Sequence, residues 1–184
     1  IAVGNTLSRG IDSVVRGLVD GAVGFIKLMD AANRAENSLR GAGLSGEELN
    51  SVWNRVYEVA QKNFVPMEDL VKLYGRVSVA QKDLRASSEQ IVQMTDAVAA
   101  SLRIMGRSPQ EARGVLLQLS QALGEGTVRA QEFNSMLENA LPLLQAAANR
   151  IEGTGGSVAK LRAMVIEGKI SSEAFFRAII LGQE

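Results

Sequence analysis

An all-α fold is predicted for this chain: a long N-terminal, coiled-coil-like helix followed by a compact multi-helix bundle of helical hairpins. Three observations predict it. Apolar residues recur at three- and four-residue spacing through most of the 184 residues. Serine and proline start signals and glycine stop signals interrupt that pattern about every twenty residues. No stretch alternates apolar and polar residues for the length that a strand needs.

The first forty residues read as one helix. Ile11, Val15, Leu18, Ala22, Phe25, Met29 and Ala32 are spaced alternately four and three apart, a heptad seam of about three repeats. Gly10, Gly17, Gly21 and Gly24 make a second strip, which weakens an isolated helix but lets another backbone come close. The candidate self-association seam is therefore Ile11, Val15, Leu18, Ala22, Phe25 and Met29, with packing on the chain's own domain as the competing reading. Residues 14–32 are apolar enough to resemble a membrane segment, but Arg16, Asp20, Lys27 and Asp30 interrupt them. Charges in hydrocarbon are costly, so neither a spanning helix nor a signal peptide is expected. A start at Ile1 instead of methionine is expected of a fragment, a processed form or the ordered part of something longer.

Gly41, Gly43 and Gly46 break the pattern and set the boundary between an extended segment, 1–44, and a compact domain, 45–184. Ser45 and Glu48 have capping-box spacing for the next helix, which carries Leu49, Val52, Val56, Ala60 and Phe64 on one face. Pro66 ends it and opens a helix with Leu70, Leu73, Val77 and Leu84. Ser87 and Gln90 cap a fourth helix bearing Ile91, Met94, Val98, Leu102 and Met105, stopped by Gly106. Ser108, Pro109 and Glu111 combine an N-cap, a proline at the first helical position and a reciprocal glutamate. That helix buries Ala112, Val115, Leu116, Leu119 and Leu123 and ends at Gly124 to Gly126. A helix with Phe133 and Leu137 follows, Pro142 breaks or restarts it, and a Gly153 to Gly156 turn leads to two short helices around 161–166 and 175–180.

An internal repeat runs at an offset of 42 residues: Leu119, Glu125, Gly126, Val128, Phe133 and Leu137 align with Leu161, Glu167, Gly168, Ile170, Phe175 and Ile179. Each copy is a helix, a Glu-Gly turn and a helix, which predicts two stacked hairpins.

Composition narrows the function classes. With 46% apolar and 22% charged residues the chain has the balance of a folded protein. Twenty basic residues against twenty acidic leave no global field to recruit nucleic acid or anionic membrane. There is no cysteine and no histidine, so Ser-His-Asp, Cys-His and HExxH chemistry is excluded. Carboxylate pairs remain: Glu47 with Glu48 and Glu68 with Asp69, in first turns where they offset the helix dipole, and Glu125 with Glu167 before the turn glycines. None is expected to be catalytic, and no cofactor or metal is expected. The Gly153 to Gly156 turn ahead of Lys160 and Arg162 matches no phosphate-loop fingerprint. A helix-turn-helix over 160–177 would present Phe175, Phe176 and Ile179, which read as core or protein interface and not as a reader of bases. Trp53, Tyr57, Phe64 and Tyr74 are expected to pack as core between two facing helices.

The string Gln118 to Gly126, the string Gln131 to Pro142 and the continuation Leu161 to Ser171, in that order and spacing, resemble the tape-measure domain of tailed-phage proteins. Asp69 to Tyr74 and Ser88 to Met105 are similar to the helices that precede it, so the likeness covers roughly residues 35–182. The resemblance implies a structural phage or prophage tail protein that takes part in tail assembly and tail-length determination, not an enzyme. It implies contacts with the tail tube protein, tail assembly chaperones and tail-tip proteins, and a homo-oligomer, trimer or hexamer. It further implies a place in the virion, in the tail tube lumen, after a stage in the host cytoplasm. A helix advances about 1.5 Å per residue, so chain length converts into tube length. The competing reading is a helical protein-interaction adaptor unrelated to tails.

Overall fold

The computed structural model describes residues 30–182, and every described regular element is a helix. The seam from Ile11 to Met29 lies outside the described residues. The described residues form nine helices: α1 (residues 30–41), α2 (Gly46–Asn63), α3 (Met67–Val79), α4 (Ser88–Ile104), α5 (Pro109–Gly124), α6 (Ala130–Asn139), α7 (Leu141–Arg150), α8 (Val158–Ile166) and α9 (Ser172–Leu181).

The start signals act locally and differ in strength. Ser87 and Ser108 each accept from the backbone N–H three residues on, and Gln90 and Glu111 reach back to the cap residue, completing both boxes. Ser45 occupies the N-cap position of α2 without a side-chain cap bond, and the Glu48 carboxylate, instead of returning to Ser45, accepts from the Ser88 hydroxyl of α4, so the expected capping box does not form. Ser157 and Ser171, followed by lysine and alanine where a box would have glutamate, cap α8 and α9 by the serine half alone.

The bundle is built around α4. Nine of its seventeen residues are buried, more than one stripe can supply. Accordingly α4 touches α2, α3, α7 and α9, with Ala97, Ala99 and Ser101 leaving room for close neighbours. The core is continuous from Ala35, Leu39 and Leu44 to Ile179. α1 therefore shares the core of the later helices. It lies across α3, where Gly75 leaves space beneath the Ser38 carbonyl and Arg34 faces Glu68 at 3.6 Å.

Two expectations about elements change. Leu84 is buried as foreseen, but α3 stops at Val79 and Leu84 sits in the turn that follows. The repeat is present but its copies do not stack like to like. α5 packs on α6 as a hairpin, whereas α8 packs on α6 and α9 packs on α5, α4 and α7. The copies meet at their turns: Thr127 and Ser171 form an antiparallel bridge, Val128 N–H donates to the Ile170 carbonyl at 3.0 Å, and Ser172 N–H donates to the Gly126 carbonyl at 3.0 Å. Val128 and Ile170 are equivalent repeat positions, so the two copies face each other about that pair. Antiparallel backbone pairing between turns requires such a two-fold relation, and a translational stack does not offer it.

Candidate interaction surfaces

The carboxylates singled out by the sequence are held in structural pairs. Glu68 accepts from Lys72 at 2.9 Å, and this bond holds its carboxyl below the usual range. Asp69 is nearly buried and accepts the Arg113 Nε at 2.9 and 3.1 Å, fastening α3 to α5. The open groove between those helices, about 420 Å³, is lined by these four charges, by Arg76 and by three leucines, so most of its charges are already paired with one another. Glu125 pairs with Arg129 and Glu167 with Lys169, each at 2.6 Å within its own turn. No group of three or more acidic side chains that could hold a metal ion occurs among the described residues.

In the glycine turn the Thr154 and Gly156 amides are engaged internally. Thr154 is fully buried; its hydroxyl bonds to the Ala148 and Ile151 carbonyls and accepts the Gly156 N–H, while its own carbonyl accepts the Ser157 N–H. This arrangement closes α7 onto α8 and turns the Gly156 and Ser157 amides inward onto Thr154. In α9, Phe175, Phe176 and Ile179 are buried in the core, and Arg177 pairs with Glu173 on the outside. That helix is a core element and presents no base-reading face.

The aromatic expectation holds for two residues and fails for two. Tyr74 is fully buried, with burial raising its phenol above the usual value, and Trp53 packs against the core. Tyr57 is half exposed and Phe64 is 87% exposed. The four-residue step from Ala60 predicts Phe64 on the apolar face of α2. α2 stops one residue earlier, and Phe64 takes a left-handed conformation (φ 56°) that turns it out of the helical register. Val79 and Ile104, at the ends of α3 and α4, are also largely exposed. The apolar surface therefore concentrates at helix ends. No helix among the described residues is long and apolar enough to cross a membrane.

Sequence reasoning missed the Asp69–Arg113 pair and the Ser157 and Ser171 caps. The pair joins residues 44 apart and leaves no local trace. The two caps carried the serine signal without its glutamate partner.

Comparison with known proteins bears on the family. The model of the tape measure protein family matches residues 23–184. The probable tape measure protein of Lactococcus phage c2 is 27% identical over 95 residues, which is 49% of this chain and 14% of that protein. The chain thus spans a small part of that relative's length. No solved structure matches it. A family match across nearly the whole chain, on an all-helical bundle whose expected strings fall on α5, α6 and α8, makes this chain a member of the tape measure protein family.

Proposed function

We propose that this chain is the part of a phage or prophage tail protein that contributes to tail assembly and tail-length determination through protein contacts. The observation that carries the reading is the family match over residues 23–184. In this reading residues 45–184 form the docking module, and residues 1–44 form the extended segment whose last turns are anchored in the module by Ala35, Leu39 and Leu44. The segment self-associates through Ile11, Val15, Leu18, Ala22, Phe25 and Met29 as a trimer or hexamer, within the tail tube lumen. The tail tube protein, assembly chaperones and tail-tip proteins are the partners, met first in the host cytoplasm.

The test is an in-frame deletion of residues 30–184 from the parent gene, which removes the whole core and leaves no exposed remnant of α1. Tails are then measured by negative-stain electron microscopy. Absent, aberrant or uniformly shortened tails are expected; normal tails of unchanged length would favour an adaptor unrelated to tails. For the seam, Leu18→Asp in the purified chain is expected to shift sedimentation to a smaller species, and an unchanged profile would remove the seam from the proposal.

A further inference from the structure

Phe64 is costly twice over. A bulky side chain at φ 56° sits in a backbone region that favours glycine or asparagine, and an 87% exposed phenylalanine gains almost nothing from burial. Stability alone selects glycine at a helix end of this kind. Residues in strained conformations persist where something other than stability holds them.

Beside Phe64 lies a groove of about 290 Å³ between the α2–α3 and α4–α5 turns, lined among others by Phe64, Pro66, Leu102, Arg103, Arg107 and Ala112. Its floor is apolar, and its ionisable lining consists of arginines without a carboxylate. Arg107 is held in place by the Glu138 carbonyl at 2.6 Å and by Glu111 at 3.4 Å, while Arg103 makes no ion pair among the described residues. One lining side chain keeps an unpaired donor among the described residues, the Arg107 Nε–H. Ile104, 68% exposed, extends the apolar surface at the same end of α4.

We propose that this groove docks an acidic amphipathic helix of a partner protein, which seats an apolar side chain against Phe64 and its carboxylates toward Arg103 and Arg107. Charge selects the occupant. The chain's own residues 1–29 carry Arg9, Arg16 and Lys27 against Asp12 and Asp20, a net +1, and so bring no acidic excess to the groove. Two arginines over an apolar floor are too few for a phosphate backbone, and they suit a helix that brings leucines on one face and glutamates on the other. An exposed aromatic beside an arginine free of ion pairs among the described residues joins two residue types enriched in interface hot spots. This inference depends on the groove alone and not on the tail reading.

The test is direct binding to the full chain, read by fluorescence anisotropy. The probe is a fluorescein-labelled synthetic helix of about four turns with leucine on one face and glutamate on the other, and the control has lysine in place of glutamate. The glutamate probe is expected to bind saturably and the lysine probe not at all. Phe64→Gly and Arg103→Glu are each expected to weaken binding about tenfold or more, with the Phe64→Gly fold intact by circular dichroism. Phe64→Asn, which also tolerates the left-handed conformation, serves if the glycine variant unfolds. Absence of binding, equal binding of both probes, or equal affinity of the Phe64 variant and the parent chain would each overturn the proposal. Competition by a peptide of residues 1–29 would make that segment the occupant instead. Loss of self-association on Phe64→Gly would make it a second copy.

Discussion

Val128 donates its backbone N–H to the carbonyl of Ile170 at 3.0 Å, and the two residues are equivalent positions of an internal repeat. Each follows a turn glycine in the left-handed conformation, Gly126 at φ 80° and Gly168 at φ 68°, so both glycines shape the backbone that makes the pairing possible. A Cβ added at either glycine would meet nothing within 4 Å. Gly126→Ala and Gly168→Ala are therefore expected to cost only the backbone strain, about 1 kcal/mol each, in a denaturant titration. A cost near zero would mean that the turns relax and the pairing is dispensable.

Gly182 and Gly114 separate close approach from conformational freedom. A Cβ on Gly182 would lie 2.5 Å from the Ala146 carbonyl oxygen, where the end of α9 meets α7, while one on Gly114, inside α5, meets open space. Gly182→Ala is expected to destabilise by about 1–3 kcal/mol through overpacking, and Gly114→Ala to stabilise by about 0.5–1 kcal/mol. Thermal melts of the two variants should move in opposite directions.

Thr154 ties α7 to α8 by a buried hydroxyl that both donates and accepts. Thr154→Val keeps the shape but leaves the Gly156 N–H and two carbonyls without this partner. A loss of about 1–3 kcal/mol is expected, lowering the melting temperature by roughly 2–4 °C per kcal/mol. A melt unchanged from the parent would show that the turn is held by its backbone bonds alone.

Burial raises the Tyr74 phenol, so the unfolded chain ionises first as pH rises. The folded state then binds more protons than the unfolded state, and stability falls with increasing pH above the ordinary tyrosine value of about 10. Below that value the contribution is fully present. In a Tyr57→Phe background, where Tyr74 is the sole tyrosine, phenolate absorbance is expected to appear together with the loss of helical signal. Phenolate formation in a chain that remains fully helical would count against this linkage.

The sequence by itself determined that the described chain is helical, where most helices start and stop, and which family it belongs to. Those signals act between residues no more than four apart: Ser87 with Gln90, Ser108 with Glu111, and the spacing of Val115, Leu119 and Leu123 along α5. The α5 and α6 strings carried the family likeness because it too is a matter of local order and spacing.

Only the tertiary structure decided what each signal was used for. Glu48 had the right spacing to serve Ser45, yet its carboxylate accepts from Ser88, forty residues away. Phe64 fell in register with Ala60, yet a left-handed residue at the end of α2 turned it into solvent. The repeat was legible as two copies, but whether they stack or face each other depended on the pairing of Val128 with Ile170. In each case the deciding partner lies far along the chain, and periodicity records which face of a helix is apolar without recording which neighbour will cover it.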